Sequence, residues 1–165
     1  MKRSIKILLF CVACLSLVSW DRASKELAKT HLKDQPVQSY FHDTFRLLYV
    51  ENTGAALSLG DDLSKGWSFW LLSAVPLALL LGMSGYVIRH CDKMDKAKMT
   101  AFTLIIAGGL GNIFDRIVYD RHVTDFMNIG ISNLRTGIFN FADVFITAGA
   151  IMLVLAFKKT VPNTA

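Results

Sequence analysis

Charged side chains almost vanish from four stretches of the chain. Trp67 to Ile88 is 22 residues without a charge, Met99 to Phe114 is 16, and Gly137 to Phe157 is 21 with Asp143 alone inside; Ile5 to Trp20 holds only Lys6. A helix rises 1.5 Å per residue, so about 20 apolar residues cross a hydrocarbon core of about 30 Å. The two shorter runs reach that length by borrowing neighbours, from Asp21 onward and from Asp115 onward. The pattern predicts an all-α membrane protein with four transmembrane helices, at about 4–30, 67–88, 98–118 and 141–157, in a single integral membrane domain covering 1–165. Pro76 predicts a kink in the second helix.

The polar stretches between spans carry β-type patterns. The segment at about 31–66 is expected to be extracytoplasmic, with a strand over Thr44–Glu51, which is rich in aromatic and branched residues. Asn52-Thr53-Gly54 and Gly60-Asp61-Asp62 read as turns. The loop Tyr119–Thr136 holds a short strand-like piece, Val123–Met127. Gly108-Gly109-Leu110-Gly111 lacks the last glycine of a dinucleotide loop and reads as close helix packing. No internal repeat is visible.

Composition supports this frame. The 165 residues are 53% hydrophobic and only 19% charged, with a mean hydropathy of +0.41, which excludes a disordered chain and argues against a water-soluble globule. The net charge of +5 is topological. Lys2, Arg3, Lys6, Arg89, Lys93, Lys96, Lys98, Lys158 and Lys159 flank the spans on one side, accompanied there only by Asp92 and Asp95. The positive-inside rule therefore places both termini and the 89–98 loop in the cytoplasm, and no nucleic-acid partner is expected. The start of the chain imitates a secretory signal, and Val12-Ala13-Cys14 imitates a lipobox, but three further apolar runs favour an anchor. Cys11 and Cys14 sit in the first apolar run and read as packing residues, and Cys91 falls on the reducing side.

Candidate chemistry follows from depth. Asp21 lies about 24 Å above the cytoplasmic end of the first helix, Asp115 about 24 Å along the third, and Asp143 about 22 Å from the cytoplasmic end of the fourth. Three carboxylates on three helices thus share one level near the outer interface, where ionisable groups mark function by default; interfacial capping is the plainer alternative. Asn112, Asp115 and Arg116 share one helical face, and Asn140 and Asp143 another. An Asp115–Arg116 structural ion pair is the plainer reading there. Two carboxylates held close share one proton, so the pair can activate water and polarise a carbonyl without metal or cofactor. Depth ranks Asp115 above Asp125 as the partner of Asp143, because Asp125 falls in a loop. Gly82-Met83-Ser84-Gly85 matches the G-x-S-G of intramembrane serine proteases, yet His31, His42, His90 and His122 all lie outside the apolar runs. The histidines also have no metal-ligand spacing.

Five short motifs, in order, bring the chain to a known family: Asp21-Arg-Ala-Ser-Lys25, Asn52-Thr-Gly-Ala-Ala56, Gly111-Asn-Ile-Phe-Asp-Arg116, Val123-Thr-Asp-Phe126 and Phe139-Asn-Phe-Ala-Asp143. Together they resemble the lipoprotein signal peptidases (signal peptidase II), four-helix aspartic peptidases of the bacterial inner membrane. The resemblance implies that Asp125 and Asp143 are the catalytic pair. It implies a supporting, substrate-binding shell of Asp21, Lys25, Asn52, Gly54, Asn112, Asp115, Arg116 and Asn140. The implied partners are membrane lipid and prolipoproteins carrying a diacylglyceryl cysteine, cut just before that cysteine. The chain is expected to be a monomer, with its site near the outer face as the depth argument places it. Asp120, in Tyr119-Asp-Arg-His122, departs from the family pattern. The alternative from another class is a small ion-coupled transporter using the same carboxylates; such sites sit near the midplane amid repeats, neither of which is seen here.

Overall fold

The computed structural model describes residues 2–54 and 63–158, so the Gly60–Asp62 turn, Ala55, Ala56 and Lys159 lie outside the described residues. The elements run α1 (Arg3–Leu32), β1 (Gln38–Tyr40), β2 (Phe45–Asn52), α2 (Lys65–Phe69), a π-helical turn (Trp70–Ala74), α3 (Val75–His90), α4 (Lys96–Val118), β3 (Val123–Ile131), β4 (Leu134–Arg135) and α5 (Phe141–Lys158). Four helices are long and apolar enough to cross a membrane: α1, the continuous Lys65–His90 span, α4 and α5. Each extends one to several residues beyond its expected bounds, because charged residues such as Lys65 and Lys96 continue the helix past the apolar run.

Local chemistry explains the breaks. Asp95 opens α4, its side chain accepting from Lys98 N at 2.7 Å. The expected kink at Pro76 takes the form of the π turn just before it. A proline ring clashes with the carbonyl four residues back, and a wider turn there lets the helix continue.

The helices pack in two ways. Phe10 and Cys14 of α1, Leu80 and Val87 of α3, and Phe102 and Ile106 of α4 form an apolar core, while much of the outer surface, such as Leu8, Leu15, Leu81 and Val154, stays exposed and suits lipid. Small residues bring α4 and α5 into backbone contact. A Cβ built on Gly108 would stand 2.4 Å from the carbonyl oxygen of Ala142. A Cβ on Gly111 would meet Asp21 Oδ2 at 2.7 Å, so this glycine makes room for a carboxylate from α1.

The four strands form one antiparallel sheet in the order β1-β2-β3-β4. Phe45, Leu47 and Tyr49 of β2 join Phe126 and Met127 of β3 against Ala28 and Leu32 at the end of α1. Two sequence expectations change here. β3 is longer than the Val123–Met127 piece, and Asp125 sits on this strand rather than in a loop. β1 and β4 were not foreseen; each is only two or three residues long.

The α4–α5 contact yields a test. Gly108→Val must push Ala142 away and displace the start of α5, so thermal unfolding in detergent should show a loss of at least about 2 kcal/mol. Gly82→Ala, where nothing lies within 4 Å, should keep or slightly raise the melting temperature.

Candidate active site

The first turn of α5 organises the site. Asn140 precedes the helix and accepts from Asp143 N at 3.1 Å, while Asp143 Oδ2 accepts from Asn140 N at 3.1 Å. This reciprocal capping box satisfies two backbone donors and fixes the Asp143 carboxylate in space. A third donor, Ala142 N, is met at 2.9 Å by Asp21 Oδ1, reaching across from α1.

Long-range pairing delivers Asp125. On β3 it is in register with Val50 of β2, and the Asn52 side chain at the end of β2 donates to Asp125 Oδ2 at 3.0 Å. Asn52 Oδ1 accepts from Gly54 N at 2.9 Å, an Asx-type turn that holds the amide. Asn140 Nδ2 then donates both to Asp125 Oδ1 at 2.6 Å and to Asn112 Oδ1 at 3.2 Å, and Asn112 Nδ2 donates to Asp143 Oδ1 at 2.8 Å. Two asparagines therefore lace Asp125 and Asp143 into one network with partners from β2, α4 and α5. Asp125 is 3% exposed. Burial, reinforced by the charge of Asp143, pushes its carboxyl up to about 6, although the Asn52 and Asn140 hydrogen bonds and the charge of Lys25 pull the other way.

Beneath this network lies a buried ionic cluster. Lys25 Nζ stands 2.7 Å from Asp21 Oδ2 and 2.7 Å from Asp115 Oδ2, and donates to Asn112 Oδ1 at 3.0 Å. Asp115 also pairs with Arg22, whose Nη2 donates to the Tyr119 hydroxyl at 2.7 Å. Two carboxylates thus balance two cations, the condition under which buried charge is tolerated. This corrects the expected Asp115–Arg116 pair. Adjacent residues on a helix point about 100° apart, so Asp115 turns to α1 while Arg116 Nη2 reaches Gly54 O at 2.7 Å. The depth ranking placed Asp21, Asp115 and Asp143 on one level; the network splits them, with Asp21 and Asp115 sharing Lys25 and Asp143 reaching that lysine only through Asn112.

A groove of about 1050 Å³ ends at this network. Its walls are mostly apolar, with Leu71, Leu72, Leu79 and Met83 from the second span, Ile105 and Ile113 from α4, and Val144 and Ile151 from α5; Asn52, Asn112, Arg116, Asp125 and Asp143 line it too. Among the described residues no group of three His, Cys, Asp or Glu converges as a metal would require. Ser84 Oγ donates to Leu80 O at 2.7 Å within its own helix, so this hydroxyl is satisfied locally. Arg22 was missed as a partner of Asp115; its place one residue after Asp21 was the available signal.

The comparisons agree with this architecture. The sequence model of the signal peptidase (SPase) II family matches residues 13–159. Lipoprotein signal peptidases from Buchnera aphidicola (34% identical, 88% of each chain covered), Vibrio cholerae (38%, covering 72% of this chain and 70% of the relative) and Borrelia duttonii (31%, 84% and 83%) are similar to it. Two solved bacterial membrane enzymes, each 24% identical, share the fold with TM-scores of 0.78 and 0.74; the first covers 95% of this chain and 92% of that enzyme, the second 93% and 94%. A family match over most of the chain, relatives above 30% identity and four membrane-length helices lead to one assignment: the chain belongs to the signal peptidase II family of multi-pass bacterial membrane proteins.

Proposed function

We propose that this signal peptidase II removes the signal peptide from diacylglyceryl-modified prolipoproteins, cutting just before the lipidated cysteine with Asp125 and Asp143 as its catalytic pair. The observation that carries the reading is the convergence of two carboxylates, laced by Asn140 and Asn112, at the end of a large apolar groove. The groove suits acyl chains and a signal helix. The polar end suits a peptide bond, which needs water and proton donors. Both oxygens of Asp143 accept hydrogen bonds, one from a backbone N–H, which hold its carboxylate in place for the role of general base. Asp125, with its raised affinity for protons, is the general acid. Water gives a proton to Asp143 as its oxygen attacks the scissile carbonyl, while Asp125 donates to the carbonyl oxygen. The tetrahedral diol collapses as the C–N bond breaks: one hydroxyl returns its proton to Asp125 as the carbonyl re-forms, and the amine of the cysteine leaves with the proton held by Asp143. Asn52, Asn112 and Asn140 hold the acids, Arg116 holds Gly54, and Asp21, Lys25 and Asp115 support the shell from below. All these groups come from one chain, which fits a monomer. An ion-coupled transporter with the same carboxylates has no support in the family relatives.

The charge asymmetry places both termini in the cytoplasm and the sheet, with the site, near the outer face. In a background without Cys11, Cys14 and Cys91, Lys65→Cys and Leu134→Cys should react with an impermeant thiol reagent added outside, and Lys96→Cys should react only after the membrane is opened. The opposite labelling overturns this orientation.

Asp125→Asn and Asp143→Asn should each lower turnover of a lipidated prolipoprotein by at least about 10³-fold, since neither the acid nor the base role can then be filled. The protein should remain inserted and bind substrate. Asp115→Asn should instead lower stability, and Ser84→Ala should keep substantial activity. Near-normal cleavage by either dyad variant refutes the mechanism.

The pH dependence follows from Asp125. Activity should fall as pH rises above about 6, when the acid loses its proton. Stability carries the same signature. A folded-state carboxyl pushed up to about 6 favours the fold fully below its unfolded value near 3.9, and that contribution is lost as pH rises through 6. Asp125→Asn should therefore melt a few degrees above the native protein at pH 7.5, and the gap should close by about pH 4.

A further inference from the structure

A second cavity, about 450 Å³, opens on the sheet side of Asp125. It shares Asn52, Asp125 and the Thr136–Ile138 segment with the apolar groove, so the two meet at the proposed acid. Asp125 and Asn128 of β3 line this cavity together with Arg46, Leu48 and Val50 of β2. The cavity is therefore a track from Asp125 toward Arg46, Asn128 and Arg135.

The far end of this track is cationic. Arg46 grips Asp43 through Nε at 2.6 Å and Nη2 at 2.5 Å, and Arg135 Nη1 donates to Asp43 O at 2.8 Å with Asp43 Oδ2 at 3.6 Å. One carboxylate thus serves two guanidinium groups. Arg135 Nε donates to Asn128 Oδ1 at 2.5 Å, but its Nη2 is buried without a hydrogen-bond partner among the described residues. A buried guanidinium nitrogen lacking an acceptor is costly, and an incoming carboxylate would supply one.

We infer that this cavity is the subsite for the polypeptide that follows the lipidated cysteine, and that Arg135, with Arg46, makes it prefer an acidic side chain there. The inference rests on the peptidase reading above. From Asp125 to Asn128 is three residues of strand, about 10 Å, which an extended substrate covers in three residues. The preferred acid is therefore the third residue after the scissile bond, the cysteine being the first. The apolar groove keeps the signal segment and acyl chains, and the cationic track takes the polar chain that leaves the membrane.

The test uses two synthetic peptides, each with a signal segment and a diacylglyceryl cysteine, identical except for Glu or Lys at that third position. Both are presented in bicelles of zwitterionic lipid, so that membrane charge does not sort them. Native protein should cleave the Glu peptide with a kcat/KM about five- to tenfold above the Lys peptide. Asp143→Asn protein should show the same preference in Kd. Arg135→Gln should bring both ratios close to one, Arg135→Glu should invert them, and Lys65→Gln should leave them as they are. Raising sodium chloride from about 0.05 M to about 0.5 M should shrink the native ratio, which tests the charge contact even where an Arg135 variant fails to fold. Equal kcat/KM and equal Kd for the two peptides in native protein overturn the subsite. A preference that survives in Arg135→Gln overturns the role of Arg135. Absence of any cleavage with the Kd preference intact counts against the peptidase reading and leaves the subsite standing.

Discussion

Lys25 is a cation buried at the end of a membrane helix, and much of the site is ordered by the need to satisfy it. An ammonium offers three donors and no acceptor, so every group that faces it must present oxygen. Asp21 and Asp115 do so, and the third position falls to Asn112 Oδ1. With its oxygen held by Lys25, the Asn112 amide has only one orientation, and its Nδ2 must point toward Asp143. Asp21, held by the same lysine, offers its other oxygen to Ala142 N and pins the start of α5. One buried charge thus fixes both the helix end that carries Asp143 and the donor that Asp143 receives. The cluster is dear to assemble in a medium of low dielectric constant, and it holds because each charge is matched.

Asp125 lives under the opposite condition. Among the described residues no cation forms a salt bridge with it; two amides donate to it, and the charge of Asp143 acts against its ionisation. The architecture therefore separates two kinds of carboxylate within a few residues. Asp21 and Asp115 are held to cations, whereas Asp125 is held by neutral donors and its carboxyl is pushed up to about 6. That separation is what acid–base chemistry at one site requires, since a carboxylate locked in an ion pair cannot serve as an acid.

The sequence disclosed the helical frame clearly because spanning a bilayer imposes a length and a hydropathy that few other constraints can produce. Asn140 and Asp143 were also legible, since their i, i+3 spacing survives into a capping box. Asp125 was not legible from local pattern. Its surroundings depend on the pairing of β3 with β2, some seventy residues away, and on a bulge that no short motif announces. Only the family resemblance pointed to it. Depth ranked Asp115 above Asp125 because it orders residues along a helix axis and says nothing about azimuth; in the structure Asp115 faces α1. Tyr119 and Arg22 escaped notice because each gains its role only from the packing of α1 on α4.

The boundary between groove and track explains why the site mixes helices with a sheet. Inside the hydrocarbon every backbone group must be satisfied within its own segment, so helices can shape an apolar groove but cannot offer free backbone or open polar cavities there. A hydrolase needs both an apolar seat for acyl chains and a wet, polar exit for the chain that follows the cut. In the proposed reading the helices supply the first and the sheet supplies the second, with Asp143 contributed from the helical side and Asp125 from the strand. The proposed pair would then come from two kinds of structure because the bond it acts on lies where the two solvents meet. A dyad built from Asp115 and Asp143 would lie wholly on helices, without the strand that opens the polar side. On the proposed assignment the sheet belongs to the catalytic apparatus as much as the spans do, and the pairing of β2 with β3 couples them.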